Sequence, residues 1–120
     1  MLTILQNHYV LAVQDLKGSS QFFLDLGFQM YNEPEGWVFV KKDNCMIMLG
    51  ECKDAIAPQD LGDHSYFAYL RVDNADEFYQ ELINKGIKPT TNIESKPWGM
   101  REFSLRTPEG HRLMIGQRIE

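Results

Sequence analysis

His8 and Glu102 are the residues whose types bring acid–base or ligand chemistry to otherwise apolar surroundings. An imidazole titrates near neutrality, so His8 can act as a general acid or base, or bind a divalent metal through a ring nitrogen. Its ordinary reading is a hydrogen-bonded core or pocket histidine. A His8–Glu102 pair would join an imidazole to a carboxylate; Arg118 is a competing diagonal partner for Glu102 across the strands. His64 precedes a strand and His111 lies in a turn, so neither serves a shared site without a register slip. Cys45 and Cys52 form no metal motif. They fall at the start and just past the end of one strand, which suits free thiols in a reducing compartment.

Glu102 is placed by a hairpin spanning Trp98 to Arg118. Two alternating runs flank Thr107-Pro108-Glu109-Gly110, where proline pre-sets the turn and Gly110 accepts the left-handed conformation after it. Pairing Thr107 with His111 sets Leu105 opposite Leu113 and Phe103 opposite Ile115. The other face then carries Glu102, Ser104 and Arg106 beside Arg112, Met114 and Gly116. A two-residue loop would mix the two sets and is rejected.

The preceding chain supplies the rest of the frame. Ile4 to Gln14 reads as a strand with both faces buried. Asp15 caps a helix with face Leu16, Ser20, Phe23 and Leu24, ended by Gly27. Phe28 to Asn32 is a strand and Glu33-Pro34-Glu35-Gly36 a turn. Trp37 to Lys41 and Cys45 to Leu49 form a hairpin around Asp43-Asn44, with Trp37 opposite Gly50 and Phe39 opposite Met48. One face is aliphatic; the other is Trp37, Phe39, Met46 and Met48. After a polar connector the pattern restarts. Ser65 to Asp73 is a strand, Asp73 or Asn74 caps a helix with face Ala75, Phe78, Tyr79, Leu82 and Ile83, and Ile87 to Ile93 is a strand. Ser95 to Gly99 is a loop, with Trp98 and Met100 placed before the hairpin.

The halves repeat: Val13, Gly27 and Phe28 match Val72, Gly86 and Ile87, about 59 residues on. The fold class is α+β, two βαβββ modules at about 1–55 and 64–120 within a single domain. One helix covers one face of such a sheet, so the other face is buried by the sister half or by a second chain.

The totals exclude several function classes. The 120 residues carry a formal charge of −5, and no basic cluster exceeds Lys41-Lys42, so nucleic acid is a poor partner. The acidic balance attracts a cationic ligand or simply maintains solubility. No apolar run is long enough to span a membrane and Met1 opens no signal-peptide pattern, so a cytoplasmic protein is expected.

His8 through Asp15-Leu16, then Ser19-x-x-Phe22-Phe23-x-x-Leu26-Gly27-Phe28, Val72-Asp73-Asn74 and Pro108-Glu109-Gly110 together resemble the vicinal oxygen chelate superfamily. That superfamily includes glyoxalases, extradiol dioxygenases and bleomycin-resistance proteins. The resemblance covers nearly the whole chain and implies paired βαβββ modules curled into a cup, with helices outside and ligand inside. It also implies four metal-ligand positions, on the first, fourth, fifth and eighth strands. These fall on His8, Met48, Phe67 and Met114. Only His8 is a good ligand; a thioether is soft and weak, and phenylalanine binds no metal.

Pro97-Trp98-Gly99-Met100-Arg101-Glu102-Phe103 resembles the bleomycin-resistance branch in particular. Proteins of that branch are acidic homodimers that bind the drug without metal and without chemistry. This chain departs in having Thr107 where an Asp usually opens the turn. The expected ligand surface is His8, Trp37, Phe39, Met46, Met48, Phe67, Tyr69, Trp98, Met100, Glu102 and Met114, an aromatic and methionine wall suited to a planar ligand. The expected function is therefore metal-independent binding, without a cofactor, of a small aromatic and cationic molecule such as bleomycin, by a homodimer. One alternative is a metal-dependent lyase, isomerase or dioxygenase using His8. Another is a regulatory domain whose cup merely forms a dimer.

Overall fold

The computed structural model describes residues 3–119, without the side chains of residues 62–64, so His64 lies outside the described side chains. The chain forms two compact units, Met1–Ile56 and Ala57–Glu120.

In the first unit, β1 (Tyr9–Val13) leads into α1 (Leu16–Asp25), followed by β2 (Gln29–Asn32), β3 (Trp37–Lys42) and β4 (Cys45–Glu51). The sheet order is β1-β4-β3-β2, with β1 parallel to β4 and the other pairs antiparallel. Asp15 starts α1 by accepting the Gly18 N–H at 3.0 Å. Gly27 follows the helix at φ +102°, the left-handed position that glycine adopts without strain. Phe23 is fully buried and meets Phe28 edge-on, with ring centroids 5.5 Å apart. Val38, Val40, Ile47 and Leu49 complete this core with Leu11 and Val13.

The second unit repeats the order. A short 3₁₀ helix (Pro58–His64) precedes β5 (Tyr66–Arg71) and α2 (Ala75–Asn84), and then β6 (Glu94–Ser95), β7 (Met100–Arg106) and β8 (Arg112–Arg118) follow. The sheet order is β5-β8-β7-β6, again with the first pair parallel. Asn74 caps α2 by accepting the Glu77 N–H at 3.0 Å. Phe103 on β7 packs against Tyr79 of α2 at 5.1 Å. Leu105, Leu113 and Ile115 share that buried row.

Both hairpin registers match the expected ones. Leu105 pairs with Leu113 and Phe103 with Ile115, while Trp37 pairs with Gly50 and Phe39 with Met48. Gly110 closes its turn at φ +97°, and Asp43 turns the other at φ 51°. Thr107 does the work of the usual turn Asp, because its Oγ1 accepts the His111 N–H at 3.0 Å.

Four expectations are corrected. The first strand is Tyr9–Val13 rather than Ile4–Gln14, because its ladder with β4 begins only at Tyr9 opposite Ile47. Its second face is not buried: Val10 is 61% exposed. The stretch from Ile87 to Ile93 is irregular, with pairing confined to Glu94–Ser95. Pro89 lacks a ladder donor, and Thr91 replaces a strand carbonyl with its own hydroxyl, accepting the Ser104 N–H at 3.0 Å. Ile83, expected on the helix's packing face, is exposed.

That hydroxyl yields a stability prediction. Thr91→Val keeps the shape but leaves the buried Ser104 N–H and hydroxyl without this partner. The expected loss is about 1–3 kcal/mol in urea unfolding, with Thr91→Ser recovering most of it. Equal midpoints for Thr91→Val and wild type would show that the hydroxyl does not hold this edge.

Candidate functional site

Each helix covers one face of its sheet, so each unit presents a second, helix-free face. In the first unit the strand alternation places Val10, Ala12, Trp37, Phe39, Met46, Met48 and Gly50 on it. Trp37 is 37% exposed, and its ring meets Phe39 edge-on at 6.1 Å. It lies flat over Gly50, where an added Cβ would approach the indole to 2.8 Å. The absence of a side chain at Gly50 is what lets the ring lie down.

The second unit uses the same device with a polar ring. Tyr69 crosses Gly116, where a Cβ would fall 1.9 Å from its hydroxyl. The hydroxyl continues to Glu102 and donates to its Oε2 at 2.7 Å. Trp98 Nε1 donates to the same oxygen at 3.2 Å. Glu102 is only 7% exposed, so these two aromatic donors supply hydrogen bonds that water would otherwise give. They, rather than Arg118, are the partners the structure gives this carboxylate. Burial of the hydroxyl, its hydrogen bond to Glu102 and that carboxylate's charge push Tyr69 up to about 12, against a smaller lowering by Arg71.

Trp98 is 64% exposed and rides a tight turn. Gly99 N–H bonds to Lys96 O and Lys96 N–H to Met100 O, with Gly99 at φ +84°. Pro97 occupies the first central position, which its fixed φ favours. The Lys96 ammonium stands over the indole at 6.0 Å. Met100 is not in this loop; it is the first residue of β7 and pairs with Arg118.

The remaining predicted residues are placed as follows. His8 precedes β1, is exposed, and its Nε2 meets Gln6 Oε1 at 3.1 Å. Met114 lies half-buried on the helix-free face between Tyr69 and Ser104. A register shift between Tyr66 and Ala68 breaks the alternation of β5. Phe67 consequently packs edge-on to His111 at 6.2 Å, and Tyr66 is the ring that meets Arg112, at 5.3 Å from the guanidinium carbon. Tyr66, Arg112 and Arg106 were not among the sequence-derived site residues. The like-charge pairing of the two arginines was already implicit in the hairpin register.

Two concavities of the first unit, about 310 and 710 Å³, lie elsewhere: one by Gly27, Tyr31 and Lys42, the other along Leu16, Leu24 and Val38.

A family model described as the glyoxalase/bleomycin resistance protein/dioxygenase superfamily matches residues 5–115. The chain belongs to this superfamily. A bleomycin resistance protein of Geobacillus stearothermophilus is 28% identical over 131 residues, covering 98% of this chain and 99% of the relative. The crystal structure of a bleomycin resistance determinant encoded on the transposon Tn5 superimposes with a TM-score of 0.80 at 24% identity, covering 94% and 97% of the two chains. A bleomycin-binding protein complexed with bleomycin gives 0.78 at 24% identity, covering 94% and 98%.

Superfamily membership raises the question of a metal. The four positions that the resemblance assigns to metal ligands hold one imidazole, two thioethers and a phenyl ring. Among the described residues no three His, Cys, Asp or Glu side chains gather as a metal site. This donor set does not fit a hard or borderline divalent cation.

The Tyr69–Glu102 link has a pH signature. Folded Tyr69 titrates above its ordinary value of 10, so its contribution is complete below pH 10 and is lost as pH rises towards about 12. Ultraviolet titration should show one phenol ionising near 12, absent in Tyr69→Phe and moved down in Glu102→Gln. Gly116→Ala should displace the ring, lower that value and cost about 1–3 kcal/mol.

Proposed function

We propose that the protein is a metal-independent small-molecule-binding protein that sequesters an aromatic, cationic antibiotic of the bleomycin kind. The observation that carries this reading is the pair of helix-free faces, each with an aromatic side chain laid over a strand glycine. Trp37 and Phe39 supply flat area in the first unit. In the second, Tyr69 and Trp98 are oriented by one buried carboxylate. Flat rings with tethered polar tips suit a planar heteroaromatic ligand, by area burial and stacking. Glu102 and the net charge of −5 favour a cationic group on that ligand.

The bleomycin resistance of the Geobacillus relative and the bleomycin held by the structural neighbour point the same way. Met48, Phe67 and Met114 at the positions that the resemblance assigns to metal ligands support binding without a metal. The protein would act as a cytoplasmic homodimer; sheet faces without a helix from their own unit support partnership with a second copy. No described helix is long and apolar enough to cross a membrane.

Titration of intrinsic tryptophan fluorescence with metal-free bleomycin tests this. Saturable quenching at micromolar concentration or tighter is expected. Trp37→Ala and Trp98→Ala should each weaken it at least about tenfold, the ordinary effect of removing an aromatic anchor. Unchanged binding in both variants would overturn the assignment of these faces. Stoichiometric metal in purified protein, lost in His8→Ala, would replace it with the metal-dependent enzyme.

A further inference from the structure

We infer that Arg101 is the positioning residue of the Trp98 turn: from the opposite side of the sheet it ties that turn to the start of α2, and so fixes where the indole meets a ligand. The inference rests on the reading that Trp98 binds ligand, and adds the residue that holds it in place.

Side chains alternate along β7. Glu102 points to the helix-free face, where it accepts the Trp98 Nε1–H, so Arg101 points to the helix side. There the Arg101 Nε–H is shared between Asp76 Oδ1 at 3.0 Å and Oδ2 at 2.9 Å, and Nη1 donates to Ser95 Oγ at 3.1 Å. One guanidinium thus joins β7, which carries it, to α2 through Asp76 and to β6 through Ser95. Ser95, Arg101 and Gln117 lie side by side across β6, β7 and β8. Gln117 Oε1 accepts the Ala75 N–H at 2.8 Å, so this row grips both Ala75 and Asp76 at the start of α2.

Trp98 needs such a hold. β6 is a strand of only 2 residues, and the turn after it closes on backbone bonds from Lys96 N–H to Met100 O and from Gly99 N–H to Lys96 O. The bond from the indole tip to Glu102 restrains the ring and not the backbone beneath it. Ser95 and Arg101 flank the turn, and the guanidinium–hydroxyl bond closes its base. Asp76 is more than half exposed, so its ion pair adds little to overall stability and its effect is local.

Trp37→Phe leaves Trp98 as the sole tryptophan, and its fluorescence anisotropy reads the turn without any ligand. In that background Arg101→Gln should lower the anisotropy while the urea midpoint stays near that of the parent. Arg101→Lys keeps the charge without the planar fork and should restore the value only in part. Ser95→Ala, which removes an exposed hydroxyl, should show the same loss on a smaller scale. In the chain with both tryptophans, calorimetric titration with metal-free bleomycin should show Arg101→Gln binding about two- to tenfold more weakly, the cost of ordering a loose side chain on binding. Added to Trp98→Ala, the same substitution should cost no further affinity. Unchanged anisotropy in both Arg101→Gln and Ser95→Ala, or a loss of affinity as large without Trp98 as with it, would overturn the positioning role. A fall in anisotropy in a chain that does not bind bleomycin would keep the role and discard the antibiotic. Bleomycin binding with unmoved anisotropy would do the reverse.

Discussion

One ten-residue helix shields one face of a four-stranded sheet and leaves the other without cover from its own unit. The rest of the molecule follows from that constraint. The helix side is plain hydrocarbon: Phe23 with Val40, Ile47 and Leu49 in the first unit, and Leu82 with Phe103, Leu105 and Ile115 in the second. Burial of such residues contributes about 1.5–3 kcal/mol each and requires no chemistry beyond shape. The second face cannot be built that way, because a hydrocarbon row with no helix over it would promote non-specific association. It carries instead aromatic rings, methionines and a few polar groups, which tolerate either water or a bound partner. The proposed function falls on that face because packing by its own unit leaves it available.

Glu102 shows how a buried charge can organise such a face. Removing a carboxylate from water is costly, and here two neighbouring rings offset that cost through Tyr69 Oη and Trp98 Nε1. The same bonds constrain the rings. Trp98 is mostly exposed, on a short turn, and its polar tip is tied to the sheet at one point. Tyr69 reaches the carboxylate only because Gly116 has no side chain in its path. Carboxylate, ring and glycine thus form one unit. Loss of the glycine moves the ring, and loss of the carboxylate leaves two polar tips in search of new partners.

Much of this architecture was legible in the sequence because strand alternation was read from both partners at once. The β7–β8 register followed from requiring Leu105 with Leu113 and Phe103 with Ile115, and that choice alone placed Glu102, Arg106 and Arg112 on one face. The repeat was legible from its helix-ending glycines, and the topology is the same in both units. What stayed hidden had local causes. Tyr66-Phe67-Ala68-Tyr69 is apolar at every position, so alternation could not reveal a bulge that sends Tyr66 to Arg112 and Phe67 to His111. Ile87 to Ile93 reads as a strand, but Thr91 satisfies its neighbour with a side chain and the ladder is interrupted. The Glu102 triad needed three dimensions, since Tyr69 and Glu102 are 33 positions apart in sequence.

The repeat is also where the halves have diverged. Both place a glycine on the last strand and an aromatic ring over it, so the backbone device is shared. In the first unit that ring belongs to Trp37, edge-on to Phe39, and the face carries no carboxylate among the described residues. In the second it belongs to Tyr69, whose hydroxyl commits it to Glu102. An apolar face contributes area and little direction; a face with a fixed carboxylate contributes direction and discrimination. In the proposed binding role, the two modules would thus contribute different elements of recognition. Orientation of a ligand in that role would rest on the Glu102 carboxylate and its two ring donors.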